Sequence, residues 1–539
     1  MRYASKALVV ISLTGLFATM ASAATVTGTV KGPDGAPFKG AFVQAQSTSL
    51  NMMMSVLSDK QGHYKLENLP ASEYQIQIRA VGYKADPRTA VNLTTDQKAS
   101  FDFALQPAAI HWTDISTNQA EALLPDGPNK QVTMKSCFQG CHSFQHKFAP
   151  YRLDENGWRD KVAYMKWSQY YFVGERMDTQ FAQAEQYLAS VFSPDSKLPD
   201  SPADVPGYGK TVHQFGDDAM NIVYVEYNTL SGNPPLGHNN RVPWSAWYDE
   251  KHGQVIVPYI SGNGFGRMDL KTGKVEEYYL TPPAEYTTKF GGVGVHSMVP
   301  AADGTLWFTE QGRNILGKWD PATKEFTEYK DTPLDKSMGK HTVRIDSKGF
   351  MWTSGNPLAR FDPETKKFTQ FPEVPSIYQI YVDRDDNAWF TEMKEDGGIG
   401  KVDAKTGKVS KYPYHGFRPH RLTMAPDGMA WFNGSGDKVV RFDPKTEKFT
   451  DFPIPGPNVG TYAIGYDLDG GVWYNSEWGD VLGRLDPKTG KVVEYPFPQT
   501  ENAIKELLPD NHNRVWFASP YNNKFGYYYL AGKTDRPIN

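Results

Sequence analysis

Asp469–Pro496 reads DGGVWYNSEWGDVLGRLDPKTGKVVEYP, and this stretch decides the fold. A D-G turn opens it and Trp473-Tyr474-Asn475 begins a strand. Asp486-Pro487 ends the next strand, Lys488-Thr489-Gly490-Lys491 turns the chain, and Glu494-Tyr495-Pro496 closes the unit. Turn residues at short intervals between aromatic and β-branched runs mark antiparallel hairpins. The unit recurs around Trp307-Phe308-Thr309, Trp352-Thr353-Ser354, Trp389-Phe390-Thr391, Trp431-Phe432-Asn433 and Trp516-Phe517-Ala518. A further unit, Val255-Ile256-Val257 with Gly266-Arg267-Met268-Asp269 and Lys271-Thr272-Gly273-Lys274, lacks the Trp. Seven units with a period of roughly forty residues predict a closed seven-bladed β-propeller rather than a solenoid. It would occupy residues 210–539, with the Trp-Phe pairs packing blade against blade.

One position per blade carries unusual chemistry. Eleven residues before each blade Trp lie His296, His341, Tyr378, His420, Tyr462 and Lys505. In a propeller this position begins the innermost strand, at the mouth of the central channel. Three or four residues after the Trp come Glu310, Glu392 and Glu477. Basic and hydrogen-bonding groups would then face carboxylates across a common funnel, which would bind a divalent metal or supply acid and base groups with shifted pKa values. Polar residues that merely line a wet channel are the plainer alternative.

Upstream of the propeller the character changes twice. Residues 196–209 are rich in Pro and Asp and read as a linker. Residues 108–195 carry helical signals over Ser116–Leu124, Glu155–Trp167 and Thr179–Phe192; in the last, Phe181, Ala184, Tyr187, Leu188 and Val191 recur at helical spacing. Residues 24–107 read as a small β-sandwich, with turns at Pro33-Asp34-Gly35 and Asp59–Gly62 and strict alternation at Tyr74, Ile76 and Ile78. Met52-Met53-Met54 reads as a loop or packing cluster rather than a soft-metal site. The expected fold class is therefore mainly β: sandwich, small helical domain, propeller.

The N-terminus reads as an address. Arg2 and Lys6 precede an apolar run from Ala7 to Met20, and Ala21-Ser22-Ala23 forms an A-x-A cleavage site, so residues 1–23 are expected to be a signal peptide. The run is too short for a comfortable membrane span, and no second apolar stretch approaches spanning length. A periplasmic protein is expected. The formal charge of −4 becomes about −6 without Arg2 and Lys6, which argues against nucleic acid as a partner.

The two cysteines of the 539-residue chain fall together in Cys137-Phe138-Gln139-Gly140-Cys141-His142. Two thiols followed at once by a histidine suit one covalent c-type haem, with thioethers from Cys137 and Cys141 and His142 as proximal iron ligand. Three residues separate the cysteines, where two are usual. A disulfide is the alternative in an oxidising compartment. Gly157-Trp158, Val162, Met165 and Gln186-Tyr187-Leu188 resemble the C-terminal half of a class I cytochrome c, which implies Met165 as sixth ligand. Met177 and His146 are the other candidates.

Two further resemblances bear on function. Gly28, Val30, Gly35, Pro37, Gly40, Ala41 and Val43, then Gly62, Tyr64, Leu69-Pro70, Tyr74 and Gly82-Tyr83, resemble the carboxypeptidase regulatory-like domain. That implies a prealbumin-like sandwich used for packing or adhesion, without peptidase activity. Trp-Phe-Thr-Glu at 307–310 and 389–392, with Arg418-Pro419-His420, resembles the streptogramin B lyase (virginiamycin B lyase) family. In that family, carboxylates hold Mg²⁺ near histidines that open a cyclic depsipeptide by elimination. His420 matches a family histidine and Glu477 a family carboxylate. The expected Glu-Pro-His triplet is replaced by Gly460-Thr461-Tyr462, which removes one metal ligand and one acid/base group.

Three functions follow as expectations. The first is a periplasmic haem protein of oxidoreductase type, its funnel binding a small organic substrate or peptide-like ligand and its haem passing electrons to a soluble cytochrome. The second is a metal-dependent carbon–oxygen lyase. The third is a non-catalytic binding or sensing module.

Overall fold

The computed structural model describes residues 23–139, 144–168, 174–230, 241–260, 262–284, 292–330, 339–375, 377–394, 396–434, 436–456 and 460–538. The expected signal peptide lies outside the described residues except for Ala23, and Cys141 and His142 also lie outside them. The fold is mainly β, with a sandwich-type N-terminal part, a small helical part and a propeller.

Six four-stranded sheets follow one another in strict sequence order from Trp247–Asp249 to Val492–Pro496. The seventh blade takes three strands from the C-terminus, Leu508–Pro509, Val515–Ser519 and Lys524–Leu530, and its fourth from Ile222–Asn228. That early strand pairs antiparallel with 524–530 along its whole length, Ile222 opposite Leu530 and Asn228 opposite Lys524, and so closes the ring.

Side chains explain why this sequence turns where it does. In four blades an Asp six residues before the Trp takes the indole N–H: Asp346 with Trp352 at 3.0 Å, Asp383 with Trp389 at 2.7 Å, Asp467 with Trp473 at 2.9 Å and Asp510 with Trp516 at 2.8 Å. The other oxygen of the same carboxylate caps the turn between the strands, as Asp346 Oδ1 does for the N–H groups of Lys348 and Phe350. One acidic side chain thus fixes both the hairpin and the indole it delivers to the core. A buried indole is worth roughly 3–5 kcal/mol on truncation to Ala.

The Trp-Phe pairs pack between neighbouring blades: Trp352 lies with Ile380 and Phe390 of the next blade, and Trp389 with Leu422 and Phe432.

The sandwich is joined to the propeller edge to edge. Met52–Leu57 pairs with Ile222–Asn228, Val56 opposite Val223 and Met52 opposite Tyr227, so one eight-stranded sheet runs from blade seven into the sandwich. The Met triplet is a strand here, not a loop. The strand's side chains are buried, with Met52, Met54 and Val56 in the large core shared by sandwich and propeller and Leu57 in a second cluster, and unbranched thioethers fill such irregular space well. This pairing covers the edge that blade seven would otherwise expose.

The helical part contains Thr117–Leu123, Lys130–Thr133, Glu155–Ser168 and Asp178–Val191, with Met134–Phe138 as a wider π-type turn. Trp112, Phe138, Phe144, Phe148, Trp158 and Phe192 form its aromatic core together with Cys137. The expected linker is tied back onto this domain: Leu198 joins its core and the Trp112 indole donates to Pro199 O at 2.8 Å.

Candidate functional site

The residues found by counting back eleven positions meet. His296, Tyr378, His420 and Tyr462 sit second on the inner strands Val295–Pro300, Ile377–Val382, Pro419–Met424 and Thr461–Tyr466. Each of these strands slips register over the next two or three residues, a bulge that re-aims the side chain. The third residue of the Trp-Phe-Thr/Asn motif holds the bulge. Thr391 Oγ1 accepts from Gln379 N–H at 3.1 Å and donates to His420 O of the next blade at 2.8 Å. Asn475 does the same between Ala463 N–H and Ile504 O, at 2.7 and 2.9 Å.

The result is a closed ring. Ring centroids lie 3.6 Å apart for His296–His341, 4.0 Å for His341–Tyr378, 5.8 Å for Tyr378–His420 and 5.6 Å for His420–Tyr462. Lys505 Nζ stands 4.4 Å from the Tyr462 ring and 5.3 Å from Trp244, whose indole is 5.2 Å from His296. Trp244 takes the seventh place. It escaped the sequence reading because the first unit has no Trp to count from, although Val255, which occupies that unit's second strand, gives the same offset. Tyr378 and Tyr462 also hydrogen-bond hydroxyl to hydroxyl across the ring.

Burial holds the histidines neutral. It pushes His296 and His341 well below the ordinary histidine value, with Arg421 adding to the effect on both and His296 adding to that on His341. His420 is pushed down to about 4 by burial, with Arg418 next in importance. His341 Nδ1–H donates to Tyr378 O at 2.9 Å, which leaves Nε2 as its basic nitrogen. The Nδ1 atoms of His296 and His420 have no hydrogen-bond partner. Burial also lifts the Tyr462 phenol well above its usual value, with Tyr378 reinforcing the shift.

The three carboxylates separate. Glu477 joins the ring through an ion pair with Lys505. Glu310 pairs instead with Arg313 at 2.8 Å, and Glu328 on the outer strand Phe326–Tyr329 shares that guanidinium at 2.6 Å. Burial, helped by Glu328, raises Glu310 to about 7. Glu392 is held at 2.8 Å by Lys411 on the outer strand Val409–Pro413, with Lys394 at 3.2 Å. Among the described residues no three His, Cys, Asp or Glu side chains are grouped as a metal ion requires. With Glu310 and Glu392 turned to Arg313, Lys411 and Lys394, the ring keeps Glu477 alone of the three.

Sequence reasoning also missed the layer beneath the ring. Arg421, Gln379 and Glu506 each directly follow a ring residue, and Arg344 lies three positions after His341. All four are buried.

The helical domain docks at the ring. Asn118 N–H donates to Trp478 O at 2.9 Å, and the Trp478 indole lies 5.2 Å from Lys505 Nζ. His146 N–H donates to the buried Glu501 at 3.0 Å, its ring nitrogen pairs with the same carboxylate, and Thr500 Oγ1 donates to Thr113 O at 2.9 Å. On the other side, Gln139 Nε2 reaches Asn118 Oδ1 at 3.3 Å and Glu121 at 2.7 Å. His146 is thus engaged with the propeller, while Met165 and Met177 pack against the core that contains Cys137.

These features define a seven-bladed propeller with a polar ring closing its channel and two domains attached through blades six and seven. Residues 362–536 match the Virginiamycin B lyase family and residues 25–106 the Carboxypeptidase regulatory-like domain. Comparison with curated proteins gave no match. Among solved structures the chain is similar to a streptogramin B lyase, at 23% identity over 58% of this chain and 99% of that one, with a TM-score of 0.49. It is similar to virginiamycin B lyase from Staphylococcus aureus at 23% identity, over 57% and 98%, with a TM-score of 0.48. The extracellular domain of a hybrid two-component system from B. thetaiotaomicron is similar at 17% identity, over 53% and 40%, with a TM-score of 0.42. No described helix is long and apolar enough to cross a membrane.

Proposed function

We propose that this is an exported redox protein whose propeller channel binds a small organic ligand and whose helical domain carries one covalent c-type haem. The observation that carries the reading is the junction at Trp478. Its carbonyl is hydrogen-bonded to the helical domain, and its indole touches Lys505 of the ring.

The donor set suits the group. Cys137 is buried in an aromatic core against which Met165 and Met177 also pack. Cys137, Cys141 and His142 would hold the haem, Met165 or Met177 would complete its coordination, and the haem supplies one-electron chemistry. The chain's own residues would do the rest. Trp244 and the tyrosines would enclose the ligand. The neutral imidazoles keep lone pairs available at neutral pH to accept hydrogen bonds from it. Lys505, neutralised by Glu477, would stand at the channel mouth beside Trp478. Electrons would leave for a soluble cytochrome outside the cytoplasm. The lyase reading is weaker, because Glu310 is paired with Arg313 and Glu392 with Lys411 and Lys394.

Intact-mass analysis of protein matured in a periplasm with the cytochrome c machinery tests both halves. The expected mass is that of a chain beginning at Ala24 plus one haem, the addition being lost in Cys137→Ser. A chain lighter by two hydrogens, with no haem, would mean a Cys137–Cys141 disulfide and overturn the reading.

A further inference from the structure

Directly beneath the ring, along the inner strands, lies a cavity of about 250 Å³. Its walls combine two guanidiniums, one carboxylate and an apolar belt. Arg344 Nη2 and Arg421 Nη1 both donate to one oxygen of Glu506, at 3.1 and 3.2 Å. The other Glu506 oxygen has no hydrogen-bond partner. Arg421 Nη1 also donates to Gln379 Oε1, while its Nε and Nη2 have no full hydrogen bond and only the Tyr462 hydroxyl beside the guanidinium. Arg421 is only 2% exposed, and its guanidinium carbon lies 5.3 and 5.2 Å from the Tyr378 and Tyr462 rings. Lys505 also reaches the cavity, but its charge is answered by Glu477. One positive charge is left over in a buried space, with unused donors on the same side chain. A buried charge in that state is strongly unfavourable unless a counter-charge arrives.

We infer that the cavity binds a small monocarboxylate, its carboxylate on Arg421 and Arg344 and its apolar body against the belt. The inference rests on the proposal that the channel holds a small organic ligand, and it names the class. A planar carboxylate matches a guanidinium fork, and a single negative charge balances the excess. Val299, Ile345, Leu422 and Ile464 line the remaining wall beside Trp247. A dry cavity of about 150 Å³ is enough for a benzene ring, so the space here takes a ring or short chain together with its carboxylate. Phosphate would bring surplus charge and leave the apolar wall bare.

Calorimetric titration of the full mature chain with benzoate, benzyl alcohol and inorganic phosphate decides the matter. Benzoate is expected to saturate one site, and benzyl alcohol, of like shape but neutral, to bind at least about tenfold more weakly. Arg421→Gln should weaken benzoate by roughly tenfold or more. Should that variant fail to fold, Arg344→Gln carries the same expectation and the three-ligand comparison on the native chain stands alone. Equal binding of benzoate and benzyl alcohol would overturn the carboxylate assignment while leaving the channel as a ligand site. Phosphate binding without benzoate would overturn it as well. Neither result touches the haem, which the mass measurement reads separately.

Discussion

His420 occupies a position where its charge state is set by the ring around it. Its pKa, pushed down to about 4, lies below that of a histidine in the unfolded chain, near 6.5. The unfolded chain therefore takes up a proton first as pH falls. Stability contributed by neutral His420 is complete above about pH 6.5 and is lost as pH falls towards 4. His296 and His341 act in the same direction. Glu310 and Asp480, raised by burial to about 7 and about 6, act in the opposite one. Single substitutions separate them: His420→Gln is expected to flatten the acid limb by at most about 1.4 kcal/mol per pH unit, read from urea unfolding between pH 4 and 7. An unchanged slope would mean that His420 takes up its proton in the fold at the same pH as in the unfolded chain. The ring itself was legible in the sequence, because a repeat turns six scattered residues into one position. The carboxylate positions were not, since a side chain at a strand end can turn to the channel or to the outer strands, and only the cations at 313, 394 and 411 decide which.

At the scale of the strand, the Trp-Phe-Thr motif has two functions that its spelling does not separate. Trp and Phe pack between blades, as periodicity implied. Thr391 replaces a ladder bond lost at the bulge and ties its blade to the next. Thr391→Val keeps the shape and removes both bonds, leaving the Gln379 N–H and the His420 carbonyl without that partner. A loss of about 1–3 kcal/mol in unfolding free energy is expected by chemical denaturation, and no change would show that water or a neighbour substitutes. Strand Ile222–Asn228 was invisible as a blade element because it carries no Trp and stands apart from the repeat it completes. Its role follows from closure, which needs a partner for 524–530. A chain lacking residues 24–107 leaves 222–228 as a bare edge. Such an edge is expected to self-associate, as light scattering on a sizing column would read; a clean monomer would contradict the view that the sandwich protects it.

Across the whole molecule, the order sandwich, helical domain, propeller was readable from composition and period, but the packing was not. Linker length says nothing about where a domain lands, whereas buried partners such as Glu501 do. Glu501→Ala removes the carboxylate that holds His146. Trypsin cleavage after Lys147 is expected to rise by roughly tenfold, and an unchanged rate would mean that the contacts at Asn118 and Thr113 hold the domain alone. The proposed function joins this docked domain to the ring through one haem on Cys137 and Cys141, so it stands or falls on the haem. The measurement that tests it most directly is the visible spectrum of the periplasmically matured protein, oxidised and then reduced with dithionite. The account predicts sharp bands on reduction and, in the oxidised form, a weak far-red band of methionine ligation that Met165→Ala or Met177→Ala abolishes. A colourless protein would contradict it.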